Sequence, residues 1–368
     1  MKARFVTSLR EFDALAPIWR DVTSAGGQTS PFLSHDWFAC CWRTAGPNRR
    51  REIWVIEDGG GPVALVPLVS RVARIRGLPV RMTEFLDSPD TPFSDFPLAG
   101  RLEEVIETFL TSLRSRRDWD VLSLRKLPAS SGTWKALETV LPGRFPWRVL
   151  GRESSPYLTI SGSWEEFLRR QTQRFRKTCR SSENRLWRGG EVSLEEHREV
   201  DPDGRVFAEV MEVSRQSWKG PRAFAMATME GMPRFFRELT RRASRNGWLH
   251  LWLLRLDGRA IATEYQIRSD DCLHALRADF DQSVAHLSPG AGLNLRIIRS
   301  LFEQGVVREY EMGPGMNAYK LRWATGARDA LGLEVYAPTP YGRLLHRIET
   351  RLVPLARRWR QRVRELCA

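Results

Sequence analysis

Three apolar runs joined by two tight turns constrain the fold of this chain more than any other feature. HLWLLRL (250–256), AIATEYQIR (260–268) and CLHALRADFD (272–281) have strand length and strand-forming side chains. Asp257-Gly258 and Asp270-Asp271 separate them at hairpin spacing, and both pairs tolerate positive φ. The pattern predicts a three-stranded antiparallel meander. Such a sheet must bury a face, so helices are required beside it. They are predicted at 203–218 and 233–246, the second stopping at Asn246-Gly247, and again at LNLRIIRSLFEQG (293–305). EVSLEEH (191–197), VVREYEM (306–312) and LGLEVYA (331–337) read as further strands, with a short helix between the last two.

The first half runs in the same order. Leu9, Phe12, Leu15, Ile18 and Trp19 recur at helical spacing, and HDWFACCWRTAG (35–46) is a second apolar segment. EIWVIED (52–58) and PVALVPLVSR (62–71) form a hairpin pattern around a Gly turn, and RMTEFLD (81–87) is a third strand. After the loop SPDTPFSDFP (88–97) come an amphipathic helix (102–116), a strand (119–127) and a short helix (133–141). The expected architecture is α+β, with two similar domains, each a mostly antiparallel sheet flanked by helices. The expected units are 1–155, 156–340 and a basic helical tail at 341–368, with RESSPYL as a short ordered linker.

Charge narrows the partners. Lys+Arg exceeds Asp+Glu by 58 to 44, a net +14. Residues 1–155 hold +4 of this and the remainder +10. The segment 169–188 carries eight basic residues against Glu183, within what reads as one long helix over 164–190. The tail carries eight arginines over 343–364 opposite Leu344, Leu345, Ile348 and Leu352. Such a helix packs back on its own domain or lies on an anionic membrane. Only six residues are lysine, at 2, 126, 135, 177, 219 and 320. Five cysteines without a CxxC pair argue against a disulfide framework and a zinc site, so no metal is expected. No stretch is long and apolar enough to span a bilayer, and charge interrupts the first fifteen residues, so a cytoplasmic setting is expected.

The chemistry points to 279–305, DFDQSVAHLSPGAGLNLRIIRSLFEQG. A strand runs out, a Gly/Pro loop follows, and a helix opens. Helix N-termini expose N–H groups and a positive dipole end, which suits the pyrophosphate of CoA. No GxxxxGK[ST] or GxGxxG pattern is present. With RFRKTCRSSENRLWRGG (174–190), Ser217-Trp218-Lys219 and YEMGPGMNAYKLRW (310–323), this segment resembles the GNAT superfamily in its BioF2-like/CelD-like branch. TSPFLSHDWFACCW (29–42) and VALVPL (63–68) match that branch's first domain, and the resemblance spans about residues 28–337.

The resemblance implies two tandem GNAT-like domains, only the second with a donor site. It implies acyl-CoA or an acyl carrier protein thioester as co-substrate, and a primary amine of a small molecule, sugar or peptide as acceptor. Donor binding carries over to Ser288, Pro289, Gly290, Ala291, Gly292 and Leu293. The loop lacks the family's initial Gln or Arg, for which Arg296 would partly compensate. Tyr319 would be the general acid, with Lys320 beside it. On the residues themselves, Glu264 lies mid-strand, where burial would raise its pKa toward that of a neutral-pH base. Asp281 at the strand's end would orient the amine or cap the loop. Trp218, Lys219 and His274 are candidates for the acceptor wall. Two alternatives stand beside this reading. One is an aminoacyl-tRNA-dependent transferase of the Fem type, against which the lack of a long heptad pair argues. The other is a non-catalytic scaffold in polysaccharide or envelope synthesis.

Overall fold

The computed structural model describes residues 1–222 and 224–356. The first half contains β1 (Lys2–Val6), α1 (Leu9–Ala14), α2 (Ala16–Ala25), α3 (His35–Thr44), β2 (Arg50–Asp58), β3 (Gly61–Ile75) and β4 (Leu78–Phe85). It continues with α4 (Leu102–Ser115), β5 (Val121–Pro128), α5 (Gly132–Val140) and β6 (Trp147–Val149). Then come β7 (Glu153–Thr159), α6 (Trp164–Arg170), α7 (Gln173–Trp187), β8 (Val192–His197), α8 (Arg205–Gln216) and α9 (Met232–Arg245). The predicted meander is β9 (Leu249–Leu256), β10 (Arg259–Ser269) and β11 (Cys272–Phe280). The chain closes with α10 (Pro289–Gln304), β12 (Glu309–Glu311), α11 (Ala318–Leu321), β13 (Gly326–Tyr336) and α12 (Pro340–Arg347).

All strands join one sheet, in the order β1-β2-β3-β4-β5-β13-β7-β12-β11-β10-β9-β8, with β6 beside β13. The two halves of that order mirror each other. In the first, three antiparallel pairings lead to β4, which runs parallel to β5, and β13 follows antiparallel. In the second, β8 to β11 repeat those pairings, β11 runs parallel to β12, and β7 follows antiparallel. Each half is thus completed by a strand from the other side of the chain midpoint. β13 contributes Leu333 and Val335, and Ala337 follows directly after it, to the core under α4 and α5. The expected linker RESSPYL is this central strand β7, and the 155/156 position falls inside it. Its single mid-strand proline hid it from a pattern reading.

Two further differences bear on the site. The predicted helix 164–190 is broken: Thr172 takes an extended backbone and its side chain accepts from Phe175 N–H, starting α7 anew after α6. The helix predicted from Leu293 begins at Pro289, so SPGAG is not a loop but the first turn of α10. Proline is favoured there because the first helical N–H has no partner. The described part of the tail packs back: Leu345 is buried beside Val80, Met82, Val121 and Tyr336, and Glu349 pairs with Arg76 and Arg148. Residues 357–368, with five of the tail's arginines, lie outside the described residues. Among the described residues no helix is long and apolar enough to cross a membrane.

Candidate active site

The parallel ladder between β11 and β12 is short. Cys272, Leu273 and His274 pair with Glu309, Tyr310 and Glu311, and there it ends. β11 continues to Phe280 against β10 alone, while Gly313 and Gly315, at φ of 73° and 97°, turn the other chain away. Glycine is needed at both, since an L side chain is strained at positive φ. A cavity of about 620 Å³ occupies the gap. Both members of the adjacent pairs Thr263/Glu264 and Ala278/Asp279 line it. Neighbours in a strand point to opposite faces, so the cavity passes through the sheet. On one side it meets Phe175, Thr178 and Cys179 of α7 and the start of α10. On the other it meets Pro89–Pro92, Trp218 and Lys219.

Glu264 is 3% exposed. Burial pushes its carboxyl above the usual range, and bonds from Tyr310 and Gln266 offset part of that rise. The Tyr310 hydroxyl donates to Glu264 Oε1, and Gln266 Nε2 donates to the same oxygen at 2.6 Å. Trp252 Nε1 donates to Gln266 Oε1 at 2.8 Å, which fixes the amide's orientation. Asn294 of α10 reaches the Tyr310 hydroxyl at 3.4 Å. Burial, and then Glu264, raise the phenols of Tyr310 and Tyr319 above their ordinary value, so both are protonated at neutral pH. Tyr319 is half exposed and lines the cavity.

Of the expected residues, Glu264, Tyr319, Lys320, Gly290, Ala291, Leu293, Trp218 and Lys219 line the cavity. Lys320 is buried there, and its ammonium donates to Gly313 O at 3.0 Å and Pro314 O at 2.8 Å. It braces the bend and does not stand free. Lys219 donates to Ala278 O at 2.7 Å and lies 2.9 Å from Asp279. The other expected residues lie elsewhere. Asp281 pairs with Arg259 and accepts from Ser283 N–H at 2.8 Å, capping the turn after β11. Ser288 accepts from Arg185 at 3.0 Å. Pro289 is buried as the first residue of α10, outside the cavity lining. Gly292 faces α7: a Cβ there would lie 2.0 Å from Leu186 Cδ1, so this glycine permits helix contact, not phosphate approach. Arg296 lies over the Trp187 ring at 5.6 Å.

His274 is also outside. It is absent from the cavity lining, with its ring edge-on to Phe32 at 4.9 Å and Nδ1 3.0 Å from Glu311. Burial alone would lower its pKa, but Cys272 and Glu311 lift it to about 9. It is therefore charged at neutral pH and unsuited to accept a proton. Cys272, His274 and Glu311 bring their ligand atoms within 4.8 Å of one another, outside the cavity lining.

Sequence reasoning missed Tyr310, Asn294, the α7 wall and the loop 89–92. Alternation along VVREYEM would have placed Tyr310 and Met312 on one face. The loop gave no signal, because its contact with the cavity is purely tertiary.

With this geometry in place, comparison with known proteins is informative. Residues 173–321 match a family model described as an acetyltransferase (GNAT) domain. The fold is similar to that of FemX, with 12% identity, TM-score 0.54, and 94% of this chain and 100% of FemX covered. It is also similar to L-PGS from Bacillus licheniformis, with 12% identity, TM-score 0.55, and 92% and 95% covered. A conserved protein of unknown function from Bacteroides thetaiotaomicron VPI-5482 is similar at 12% identity and TM-score 0.54, with 90% and 99% covered. No curated protein matches the chain in sequence at a significant level.

Proposed function

We propose that this chain is a GNAT-type acyltransferase, in which the part that matches the acetyltransferase (GNAT) domain model, residues 173–321, transfers an acyl group from a CoA thioester to a primary amine. One observation carries the reading: a cavity through the β11–β12 gap brings a buried carboxylate and two protonated phenols to one place. The CoA pantetheine arm would enter beside α10, where Gly290 and Ala291 open the helix and α7 supplies a basic surface. The thioester would lie in the gap beside the β11 main chain beyond His274, which has no ladder partner on that side.

The amine arrives as an ammonium and loses its proton to Glu264. Its nitrogen lone pair attacks the thioester carbonyl carbon, and the C–S bond breaks as the tetrahedral intermediate collapses. The thiolate takes the proton of Tyr319, the nitrogen sheds its second proton to the resulting phenolate as the amide forms, and Glu264 returns its proton to solvent. Tyr310 and Gln266 hold Glu264 in place as hydrogen-bond donors. The acceptor is a small molecule, an amino sugar or a peptide side chain.

Acyl-CoAs of graded chain length should raise the melting temperature, and amines should release free thiol from the best of them. The Fem-type alternative draws on the basic face of α7. Salt-sensitive tRNA binding without any acyl-CoA binding would favour it.

A further inference from the structure

We propose that loop 88–92 of the first half forms the acceptor side of the cavity, that Asp90 receives the acceptor's ammonium group, and that Lys126 is the positioning residue that holds the loop. This rests on the acyltransferase reading. Pro89, Asp90, Thr91 and Pro92 are the first-half residues among the cavity's lining. They stand with Trp218 and Lys219, away from α10. A donor entering beside α10 fills that side of the sheet, so the nucleophile must approach through the other.

The main chain of the loop is gathered by the side chain of Lys126. Lys126 Nζ donates to Thr91 O at 2.9 Å and Pro89 O at 3.0 Å, and reaches Ser88 O at 3.4 Å. Three carbonyls converging on one point suit an ammonium, which has three donors around one nitrogen; the planar fork of arginine does not match them. The backbone at Lys126 takes φ of 60°, a left-handed conformation unusual for lysine, and its carbonyl accepts from Ser94 N–H at 2.9 Å. The choice of lysine stands out in a chain whose cations are otherwise nearly all arginine. Lys219 and Lys320 make the same kind of contact, each donating to main-chain carbonyls in other parts of the cavity wall. Three of the six lysines therefore brace this one cavity.

Held this way, the loop places a carboxylate in the wall. Asp90 Oδ2 accepts from Arg277 Nε at 2.7 Å, and the side chain is 11% exposed. Among the described residues Oδ1 makes no hydrogen bond. A half-paired carboxylate in a largely dry wall attracts a primary ammonium more strongly than it would in water.

The test compares the wild type with Lys126→Met, Lys126→Arg and Asp90→Asn. Lysine, ornithine, glucosamine and spermidine serve as amines and acetyl-CoA as donor. Amine binding is first measured by calorimetry without donor. Wild type should bind at least one amine, and all three variants should weaken that amine by about tenfold, the scale of one charge-assisted hydrogen bond. In thiol release the amine KM should rise by a similar factor, with kcat and acetyl-CoA affinity held within about threefold. Melting curves establish that each variant is folded; should Lys126→Met unfold, Lys126→Arg and Asp90→Asn decide. Binding of no amine by the wild type, equal binding by the folded variants, or an equal loss of acetyl-CoA affinity would overturn the proposal. Failure of acetyl-CoA to bind the wild type, with amine binding intact, would sink the acyltransferase reading and leave the amine site standing.

Discussion

At the scale of single residues, the account turns on Glu264 and what surrounds it. Burial raises the Glu264 carboxyl above the usual carboxylate range, and it can accept a proton only above that raised value, so turnover falls as pH drops through it. Tyr310 donates to the charged form and holds the pKa lower than burial alone would set it. Tyr310→Phe should therefore move the acid limb of the rate profile to higher pH, while Glu264→Gln should remove the limb along with most of the rate, about a hundredfold or more. An acid limb that is unchanged in both variants would take Glu264 out of the mechanism. Glu264 was readable from sequence because strand alternation puts it on one face with Ala262 and Gln266. Tyr310 was not selected, because its role depends on the register Leu273↔Tyr310, which no local pattern encodes. His274 was misplaced for the related reason that alternation assigns a face without saying how far along the strand the cavity reaches, and its β11 lining begins only at Ala275.

At the scale of elements, α10 and its neighbours show what a glycine pattern can and cannot say. The Gly290–Gly292 spacing reads as a phosphate loop, yet Gly292 is a contact point between α10 and α7. Gly292→Val should destabilise the protein by about 1–3 kcal/mol through overpacking. Combining it with Leu186→Ala should cost less than the sum of the two single changes, because the space vacated by Leu186 admits the new side chain. Urea unfolding midpoints measure this, and strict additivity would place the close approach elsewhere. The meander, the hairpins and the flanking helices were legible because each satisfies a local period. The start of α10 depends on Pro289 at its first position, and the break before α7 on the capping side chain of Thr172, signals that the apolar period does not contain.

At the scale of the whole molecule, the halves are not independent. β13 completes the first half's sheet and core, and β7 completes the second. A fragment of residues 1–155 would leave β5 as an open edge and lose Leu333, Val335 and Ala337 from its core, so it should aggregate or unfold without cooperativity. A soluble fragment with a sharp melting transition would contradict the exchange. The repeat of elements was visible in the sequence, but the exchange was not, because long-range strand pairing leaves no trace in composition or spacing. The same interlocking lets a first-half loop reach a second-half cavity. The central claim is that this cavity is an acyl-transfer site in the β11–β12 gap, and a crystal structure with a non-hydrolysable acetyl-CoA analogue tests it most directly. The thioester is expected between residues 275–278 and Tyr310, with the sulfur beside Tyr319 and the pantetheine leaving past Gly290. An analogue bound elsewhere, or a gap left empty at saturating concentration, would contradict it.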